Sequence, residues 1–191
     1  DPVPMTRAEV DEANAQNLAL AEYFRKLFEL RRRQPGDDLT TQLVQAEEEG
    51  NKLTEEELTA NIILLFGAGH ETTVNLIGNG LLALHRNPDQ LELLRQKPEL
   101  ITNAIEELLR YDSSVQLTGR TALEDVEVGG TLVPKGDAVL SLLGAANRDP
   151  AVYPDPDKLD ITRQKIRPMS FGGGIHLCLG AQLARIEGEV A

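Results

Sequence analysis

The chain has 191 residues, 41% of them hydrophobic, which is enough for one globular core or for part of a larger one. Its 31 acidic and 19 basic residues give a formal net charge of −12, which disfavours nucleic acid as a partner. One cysteine excludes an intramolecular disulfide, and no apolar run reaches the ~18 residues of a membrane span. We therefore expect a cytoplasmic protein without membrane partners.

Helical periodicity dominates the first part of the chain. Apolar residues recur every three or four positions over residues 6–33, and again over residues 39–46. Proline is favoured in the first turn of a helix, so Pro88 and Pro98 predict the starts of two further helices. The second of these is expected to end at Tyr111.

The longest helical pattern covers residues 58–85. Thr54 and Glu57 form the Thr-x-x-Glu pattern of a capping box, which predicts its start. Residues 62–66 are apolar all round, which predicts a helix that is buried on every side. Glycines and threonines that follow in mid-helix favour a bend.

An acid and an alcohol, Glu71 and Thr72, lie inside this apolar helix. Buried polar groups are costly unless they pair or do chemical work. In a structural interpretation, Thr72 bonds back to a helix carbonyl and Glu71 pairs with a neighbouring arginine. In a functional one, the two side chains pass protons to a molecule bound at the bend. A zinc-protease His-Glu-x-x-His motif starting at His70 is excluded, because position 74 is valine.

After the helices the pattern changes to short strands and coil. Residues 117–122, 126–128 and 131–133 are typical of strands, and Gly129-Gly130 predicts a tight hairpin between the last two. The expected fold class is mainly α with small β-sheets (α+β). The predicted segments of this one domain are helices over residues 1–111, short strands over 112–145, coil over 146–169, and a loop with a final helix over 170–191.

Glu107 and Arg110 lie three positions apart near the end of a helix, so their side chains face each other. Taken alone, the pair is typical of a surface salt bridge, which stabilises a helix by about 0.2–0.5 kcal/mol.

Residues 170–180 combine four glycines, a histidine and the only cysteine of the chain. Glycine lets backbone approach a ligand closely, and a thiol at a helix start lies where the helix dipole favours a thiolate. A phosphate loop or dinucleotide fingerprint does not fit, because neither Gly-Lys-Ser/Thr nor a glycine at position 177 is present. One cysteine with three histidines is a poor zinc site. A cysteine nucleophile with a distant histidine, or a thiolate ligand to haem iron, remains open.

Three motifs together make the sequence resemble the cytochrome P-450 family, particularly its soluble bacterial members. The resemblance covers nearly the whole chain and implies the C-terminal half of the cytochrome P-450 fold. That half is a single partial domain, with a long buried oxygen-binding helix and a cysteine loop leading into the last helix. The matching motifs are Phe171-x-x-Gly174-x-x-x-Cys178-x-Gly180, Glu107-x-x-Arg110 and Ala68-Gly69-x-Glu71-Thr72-Thr73.

The resemblance implies roles for the matching residues. Cys178 is expected to be the axial thiolate ligand of the haem iron, with Phe171 shielding its sulfur. Thr72, with Glu71, is expected to assist proton delivery to bound oxygen. The other haem-binding residues implied are His176 and Arg120 at the propionates, Gly172, Gly174 and Gly180 in the loop, and Ala68 and Gly69 over the haem.

Two further groups follow from the resemblance. Glu107 and Arg110 are expected to form a buried triad with Arg163 from the coil, and Val115, Gln116 and Leu117 to border the substrate. There are also departures from the family pattern. Members often have prolines where this chain has Ser113-Ser114, and a phenylalanine where it has Leu159.

The activity implied is that of a haem-thiolate monooxygenase, which inserts one oxygen atom from dioxygen into a small organic substrate. Its cofactor is haem b (iron protoporphyrin IX), with electrons ultimately from NAD(P)H through a ferredoxin or flavodoxin-type partner. The alternative class is a truncated, inactive fragment or a haem-less homologue that acts as a scaffold or partner subunit. Both ends of the chain look cut, so we expect the 191 residues alone to be inactive.

Overall fold

The structure is a computed structural model that describes residues 5–48 and 53–191. It is mainly helical with two small antiparallel sheets. The chain divides into two compact units. The first unit consists of the described residues up to Ala68, and the second consists of Gly69–Ala191. Within the described ranges, no helix is both long and apolar enough to cross a membrane.

The first unit contains α1 (Arg7–Arg33), α2 (Leu39–Glu48) and the first part of α3 (Glu55–Arg86). The predictions for α1 and α2 are confirmed to within one or two residues. Gly50, a residue type that disfavours helix and was therefore expected to end α2, lies outside the described residues. A capping box at Thr6 starts α1. The buried apolar core of this unit is formed by Phe24, Phe28, Val44, Leu58 and Ile62.

Helix α3 runs without interruption over the predicted range, and its capping box is confirmed. The Thr54 N–H donates to Oε2 of Glu57 at 2.7 Å, and the Glu57 N–H donates to Oγ1 of Thr54 at 3.2 Å. Burial on every side is not observed, because Ile62 is 7% exposed whereas Leu64 is 66% and Phe66 is 60% exposed. Only one side of this part of α3 packs into the core of the first unit, so the opposite side remains open.

The second unit adds α4 (Pro88–Gln96), a 3₁₀ turn (Pro98–Leu100) and α5 (Ile101–Tyr111) to the rest of α3. The start at Pro88 is confirmed, whereas Pro98 begins the 3₁₀ turn and the α-helix itself begins three residues later, at Ile101. Apolar side chains of α5 pack against those of α3 and against two residues of the coil. The buried apolar core of this unit is formed by Leu76, Ala83, Leu84, Ala104, Ile105, Leu108, Leu109, Leu159 and Ile161.

Two small sheets follow α5. Strand β1 (Thr118–Thr121) pairs with β4 (Ala138–Ser141), and β2 (Val126–Val128) pairs with β3 (Thr131–Val133). The hairpin between β2 and β3 is confirmed: Gly129 and Gly130 have φ of 58° and 81°, as a tight turn of mirror-image type requires.

The end of the predicted strand region is partly helical. A four-residue helix, α6 (Leu143–Ala146), follows β4, where the sequence predicted short strands up to residue 145. The coil then leads through two 3₁₀ turns to the last helix, α7 (Ala181–Val190).

Candidate functional site

Residues 170–180, called the cysteine loop from here on, form a tight turn before α7. Gly172 and Gly174 have φ of 66° and 63°, in the left-handed region that favours glycine. The N–H of Cys178 donates to the carbonyl of Phe171 at 2.9 Å and closes the loop. The sequence pattern of glycines therefore corresponds to real backbone constraints.

Cys178 presents an exposed thiol beside a pocket of about 280 Å³. Leu177 and Leu179 next to it are 61% and 87% exposed, and a Cβ added at Gly173 or Gly180 would meet nothing within 4 Å. The pocket is lined by Pro168, Phe171, Gly172, Leu177, Cys178, Leu179, Ala181, Gln182 and Arg185.

The donor set of the cysteine loop fits haem better than a metal ion held by several side chains. Across the described ranges, no group of three or more His, Cys, Asp or Glu residues comes together as a metal site. The loop instead offers one sulfur, flanked by glycine backbone and exposed apolar side chains. Haem-thiolate ligation needs one cysteine sulfur, and a flat apolar ring needs an open apolar surface.

Glu107, Arg110 and Arg163 are brought together in one hydrogen-bonded cluster. Oε2 and Oε1 of Glu107 accept from Nε and Nη2 of Arg110 at 2.7 and 2.8 Å, and Oε1 also accepts from Nε of Arg163 at 3.2 Å. The side chains of Glu107 and Arg110 are 0% exposed. The interpretation as a surface salt bridge is therefore wrong, because the coil folds over the pair.

Coil carbonyls accept from the three N–H groups of the Arg110 guanidinium that do not donate to Glu107. Nη1 donates to the carbonyls of Asn147 and Pro156 at 3.0 and 2.8 Å, and Nη2 donates to that of Lys158 at 3.2 Å. The ring of Tyr153 lies 5.4 Å from the guanidinium carbon. A buried charge is tolerated only with such complete pairing, so the triad fixes the course of the coil.

Asn147, which sequence reasoning missed, connects the triad to the cysteine loop. It is 0% exposed. Its Oδ1 accepts from the N–H of Met169 at 2.7 Å, and its Nδ2 donates to Oγ of Ser170 at 3.0 Å. Ser170 in turn donates to the carbonyl of Leu109 at 2.7 Å. Its position at the start of the predicted coil was the available sequence signal.

Arg185, also missed, reaches back from α7 to the loop. Its guanidinium carbon lies 4.6 Å from the ring centroid of Phe171, and it forms an ion pair with Glu106. The hydrogen bond with Glu106 raises the pKa of Arg185 above its ordinary value, and attraction from Glu106 and Cys178 adds to this. Its position seven residues after the cysteine, in the predicted final helix, was the available signal.

The residues expected to act on bound oxygen lie on α3. Glu71 is exposed and Thr72 half-buried, so the expected burial of the acid is not observed in this chain. A Cβ at Gly69 would meet nothing within 4 Å, which leaves this part of the helix surface open. Ala68 is the last residue of the first unit. Next to Thr72, Oγ1 of Thr73 donates to Oε2 of Glu187 on α7 at 3.0 Å.

The two residues expected at the propionates are both exposed. Arg120 lies on β1, where Nη1 donates to Oγ1 of Thr118 at 2.9 Å and to the carbonyl of Gly119 at 2.7 Å. His176 ends the 3₁₀ turn Gly174–His176 of the cysteine loop. Their proposed role stays a prediction.

The segment expected to border substrate is held by Gln116. Its side-chain Nε2 donates to the backbone carbonyl of Ser113 at 2.6 Å, and its backbone carbonyl accepts from the N–H of Gly144 at 3.0 Å. Val115 is half-buried and Leu117 is 41% exposed. The hydroxyl of Ser113 is buried without a hydrogen-bond partner in the described part of the chain.

Comparisons with known proteins agree with these motifs. A family model described as Cytochrome P450 matches residues 7–191. The protein named cytochrome P450 133B1 of Xylella fastidiosa is 54% identical over 191 residues, which is 100% of this chain and 48% of that protein. Cytochrome P450 107B1 of Saccharopolyspora erythraea is 51% identical over 182 residues, which is 94% of this chain and 45% of that protein.

The similarity extends to solved structures. The crystal structure of P450BioI in complex with hexadec-9Z-enoic acid ligated acyl carrier protein has a TM-score of 0.93 at 45% identity. The match covers 98% of this chain and 48% of that chain. The chain therefore spans about half the length of the relatives that it matches.

Proposed function

Because this chain belongs to the cytochrome P450 family and has about half of its fold, we propose that it forms the haem-ligating half of a haem-thiolate monooxygenase. The observation that carries the proposal is the cysteine loop. It presents one exposed thiol, Cys178, on a turn closed by the hydrogen bond to Phe171 and supported by the buried triad. This geometry suits a single sulfur ligand to haem iron.

Cys178 supplies the thiolate in this proposal, and Phe171 shields the sulfur from water. Gly172, Gly174 and Gly180 let the backbone approach the haem face, because no Cβ intervenes. Glu107, Arg110 and Arg163 keep the loop in place through the coil. Haem, when bound, supplies the iron at which dioxygen is activated.

The exposed residues on the open side of the site have their own proposed roles. Arg120 and His176 bind the propionate carboxylates by charge and hydrogen bonding. Ala68 and Gly69 leave room over the haem because their side chains are small or absent. Thr72, with Glu71, holds and passes a proton to oxygen. The substrate borders are given by Val115, Gln116 and Leu117.

The proposed partners follow from the family. Electrons come ultimately from NAD(P)H through a ferredoxin or flavodoxin-type protein to haem b, in the cytoplasm, and the substrate is a small organic molecule. One related structure holds its fatty acid on an acyl carrier protein, so a carrier-bound substrate belongs to the range to be tested.

The exposed apolar surface favours a second proposal about the 191 residues by themselves. Leu64, Phe66, Ile175 and Leu179 are between 60% and 98% exposed. Apolar patches of this kind mark surfaces that contact another part of a protein or another copy. The chain alone is therefore expected to bind haem weakly, to self-associate and to be inactive.

Oxygen consumption with a reduced ferredoxin or flavodoxin tests both proposals. With a substrate from a panel of small organic molecules, the haem-loaded full-length protein is expected to consume dioxygen, oxidise the partner and release hydroxylated product faster than the partner alone consumes dioxygen, whereas residues 1–191 alone are not. Bound haem without oxygen consumption contradicts the monooxygenase, and turnover by the short chain contradicts its inactivity.

The remaining class, a cysteine hydrolase, makes a different prediction. An electrophile would label Cys178 in the haem-free protein, and Cys178→Ala would abolish hydrolysis of an ester probe. We expect the rate of ester hydrolysis to be the same in the wild-type chain and in Cys178→Ala.

A further inference from the structure

Arg185 makes contacts with three parts of the site at once. It lies on α7 and donates through Nη1 to the carbonyl of Ala181 at 3.1 Å. Its Nε pairs with Oε1 of Glu106 on α5, and its Nη2 donates to Oε2 of Glu106 at 3.3 Å. The guanidinium also lies over the ring of Phe171, 4.6 Å from the centroid. α5, α7 and the cysteine loop therefore meet at one side chain.

The same side chain is close to the sulfur ligand. Arg185, Phe171 and Cys178 line one pocket. Phe171 and Cys178 are joined by the backbone hydrogen bond that closes the loop, at 2.9 Å. The backbone carbonyl of Phe171 is therefore one hydrogen bond from the Cys178 amide, and the ring of the same residue is the one that Arg185 contacts.

We propose that Arg185 is a positioning residue of the thiolate site: it holds Phe171 against the closed loop and places a positive charge, balanced by Glu106, beside Cys178. This inference rests on the proposed function for its effect on haem, but its structural part stands on the contacts of Arg185. Arg185 itself is not expected to touch haem or substrate.

The contacts explain why arginine is suited to this position. A planar guanidinium can stack on a ring and bind both oxygens of a carboxylate at once, which a lysine ammonium cannot. Arg185 and Glu106 are 27% and 19% exposed, so their charges are only partly screened by solvent. Removing either partner leaves the other charge uncompensated near the sulfur.

This arrangement predicts opposite electrostatic effects for the two partners. Reduction of the iron adds one electron, which a nearby positive charge favours and a nearby negative charge opposes. Arg185→Gln leaves the negative charge of Glu106 and is expected to lower the reduction potential. Glu106→Gln leaves the positive charge of Arg185 and is expected to raise it. Simple loss of an ion pair as a structural support would change both variants in the same direction.

The first experiment uses the haem-free 191-residue chain and measures hydrogen exchange of the Cys178 amide. Arg185→Gln is expected to speed exchange by about three- to tenfold, the size of a partly buried cation–π contact, with Arg185→Lys in between. The amide of Leu76, which lies inside α3 and in the buried core of the second unit, serves as an internal reference for global stability.

A matched control for this experiment is Arg7→Gln, because Arg7 forms an exposed ion pair with Asp11 on α1. It is expected to leave the exchange of Cys178 unchanged. If the Cys178 amide of Arg185→Gln exchanges at the same rate as that of Arg7→Gln, or if the Cys178 and Leu76 amides accelerate equally, the clamp on Phe171 is overturned.

The second experiment measures the reduction potential of the haem-loaded full-length protein. We expect shifts of opposite sign for Arg185→Gln and Glu106→Gln, each within a tenfold change in the equilibrium constant, which is about 59 mV for one electron. Shifts of the same sign, or none, overturn the electrostatic part. If the wild-type protein shows no thiolate-bound haem, the proposed function fails. The hydrogen-exchange experiment still tests whether Arg185 holds Phe171 against the closed loop.

Discussion

Asn147 donates from Nδ2 to Oγ of Ser170 at 3.0 Å, and this contact connects the buried triad to the cysteine loop. The carbonyl of Asn147 accepts from Arg110 at 3.0 Å, so one residue contacts both the triad and the start of the loop. The loop is thus held at its entry by Asn147 and, after its exit, by Arg185. Because both supports lie within Gly69–Ala191, the loop conformation is a property of the second unit.

Asn147→Asp is expected to lower the free energy of unfolding of the chain by about 1–3 kcal/mol. The hydroxyl hydrogen of Ser170 points to the carbonyl of Leu109, so an aspartate oxygen at position 147 would face a lone pair of Ser170. Urea unfolding followed by circular dichroism measures the change. Asn75→Asp on the exposed surface of α3 is the control, and equal effects of the two substitutions would contradict the role of Asn147.

Glu107→Gln is expected to lower the free energy of unfolding by about 3–5 kcal/mol, because it leaves the buried guanidinium of Arg110 without its counter-ion. Asp11→Asn, which removes an exposed ion pair with Arg7, is expected to cost at most about 1 kcal/mol. Both are measured by urea unfolding of the same chain. Should Glu107→Gln fail to fold, Arg163→Gln removes a less buried member of the same triad and is measured instead. If the substitution in the triad lowers the free energy of unfolding no more than Asp11→Asn does, the stabilising role of the triad is contradicted.

Ser113→Ala is expected to raise the free energy of unfolding by about 1 kcal/mol or more. The hydroxyl of Ser113 is buried without a partner among the described residues, and a buried unsatisfied polar group costs about 1–3 kcal/mol. Ser141→Ala, at an exposed position of β4, is expected to stay within about 0.5 kcal/mol of wild type. A destabilised Ser113→Ala would show that the hydroxyl has a partner after all.

Stability of the first unit is expected to depend on pH through Asp38. The backbone hydrogen bond from Thr41, together with its hydroxyl and Arg31, keeps the pKa of Asp38 below its ordinary value. A lowered pKa in the folded state stabilises the fold above the unfolded pKa of about 3.9, and this contribution is lost as the pH falls through the folded pKa.

The test of Asp38 compares thermal unfolding of wild type and Asp38→Asn across pH. The variant is expected to unfold at a lower temperature at neutral pH, and the gap is expected to close below about pH 4. A gap that stays constant down to acidic pH would assign the effect to packing rather than to charge.

Local signals in the sequence predicted local structure well. Capping residues at Thr54 and prolines at Pro88 and Pro98 predicted helix starts because their contacts lie within one turn. Paired glycines predicted the β2–β3 hairpin for the same reason. The cysteine loop was recognisable because its glycines are needed by the backbone itself.

Burial and long-range contacts could not be predicted in the same way. The spacing of Glu107 and Arg110 gives their mutual contact, but their burial depends on coil residues that lie 37 to 48 positions after Arg110. Asn147 and Arg185 act through bonds that span 23 and 79 residues. The apolar run over residues 62–66 indicates that these side chains can be buried. How many of them are buried depends on which other parts of the protein pack against the helix.

The central claim is that Cys178 is the sulfur ligand of a haem iron. The most direct measurement is the absorption spectrum of the reduced, carbon monoxide-treated, haem-loaded full-length protein, recorded for wild type and for Cys178→Ala. We predict a strongly red-shifted thiolate band in the wild type and its loss in the variant. A wild-type spectrum without this band, or a band that survives in Cys178→Ala, would contradict the claim.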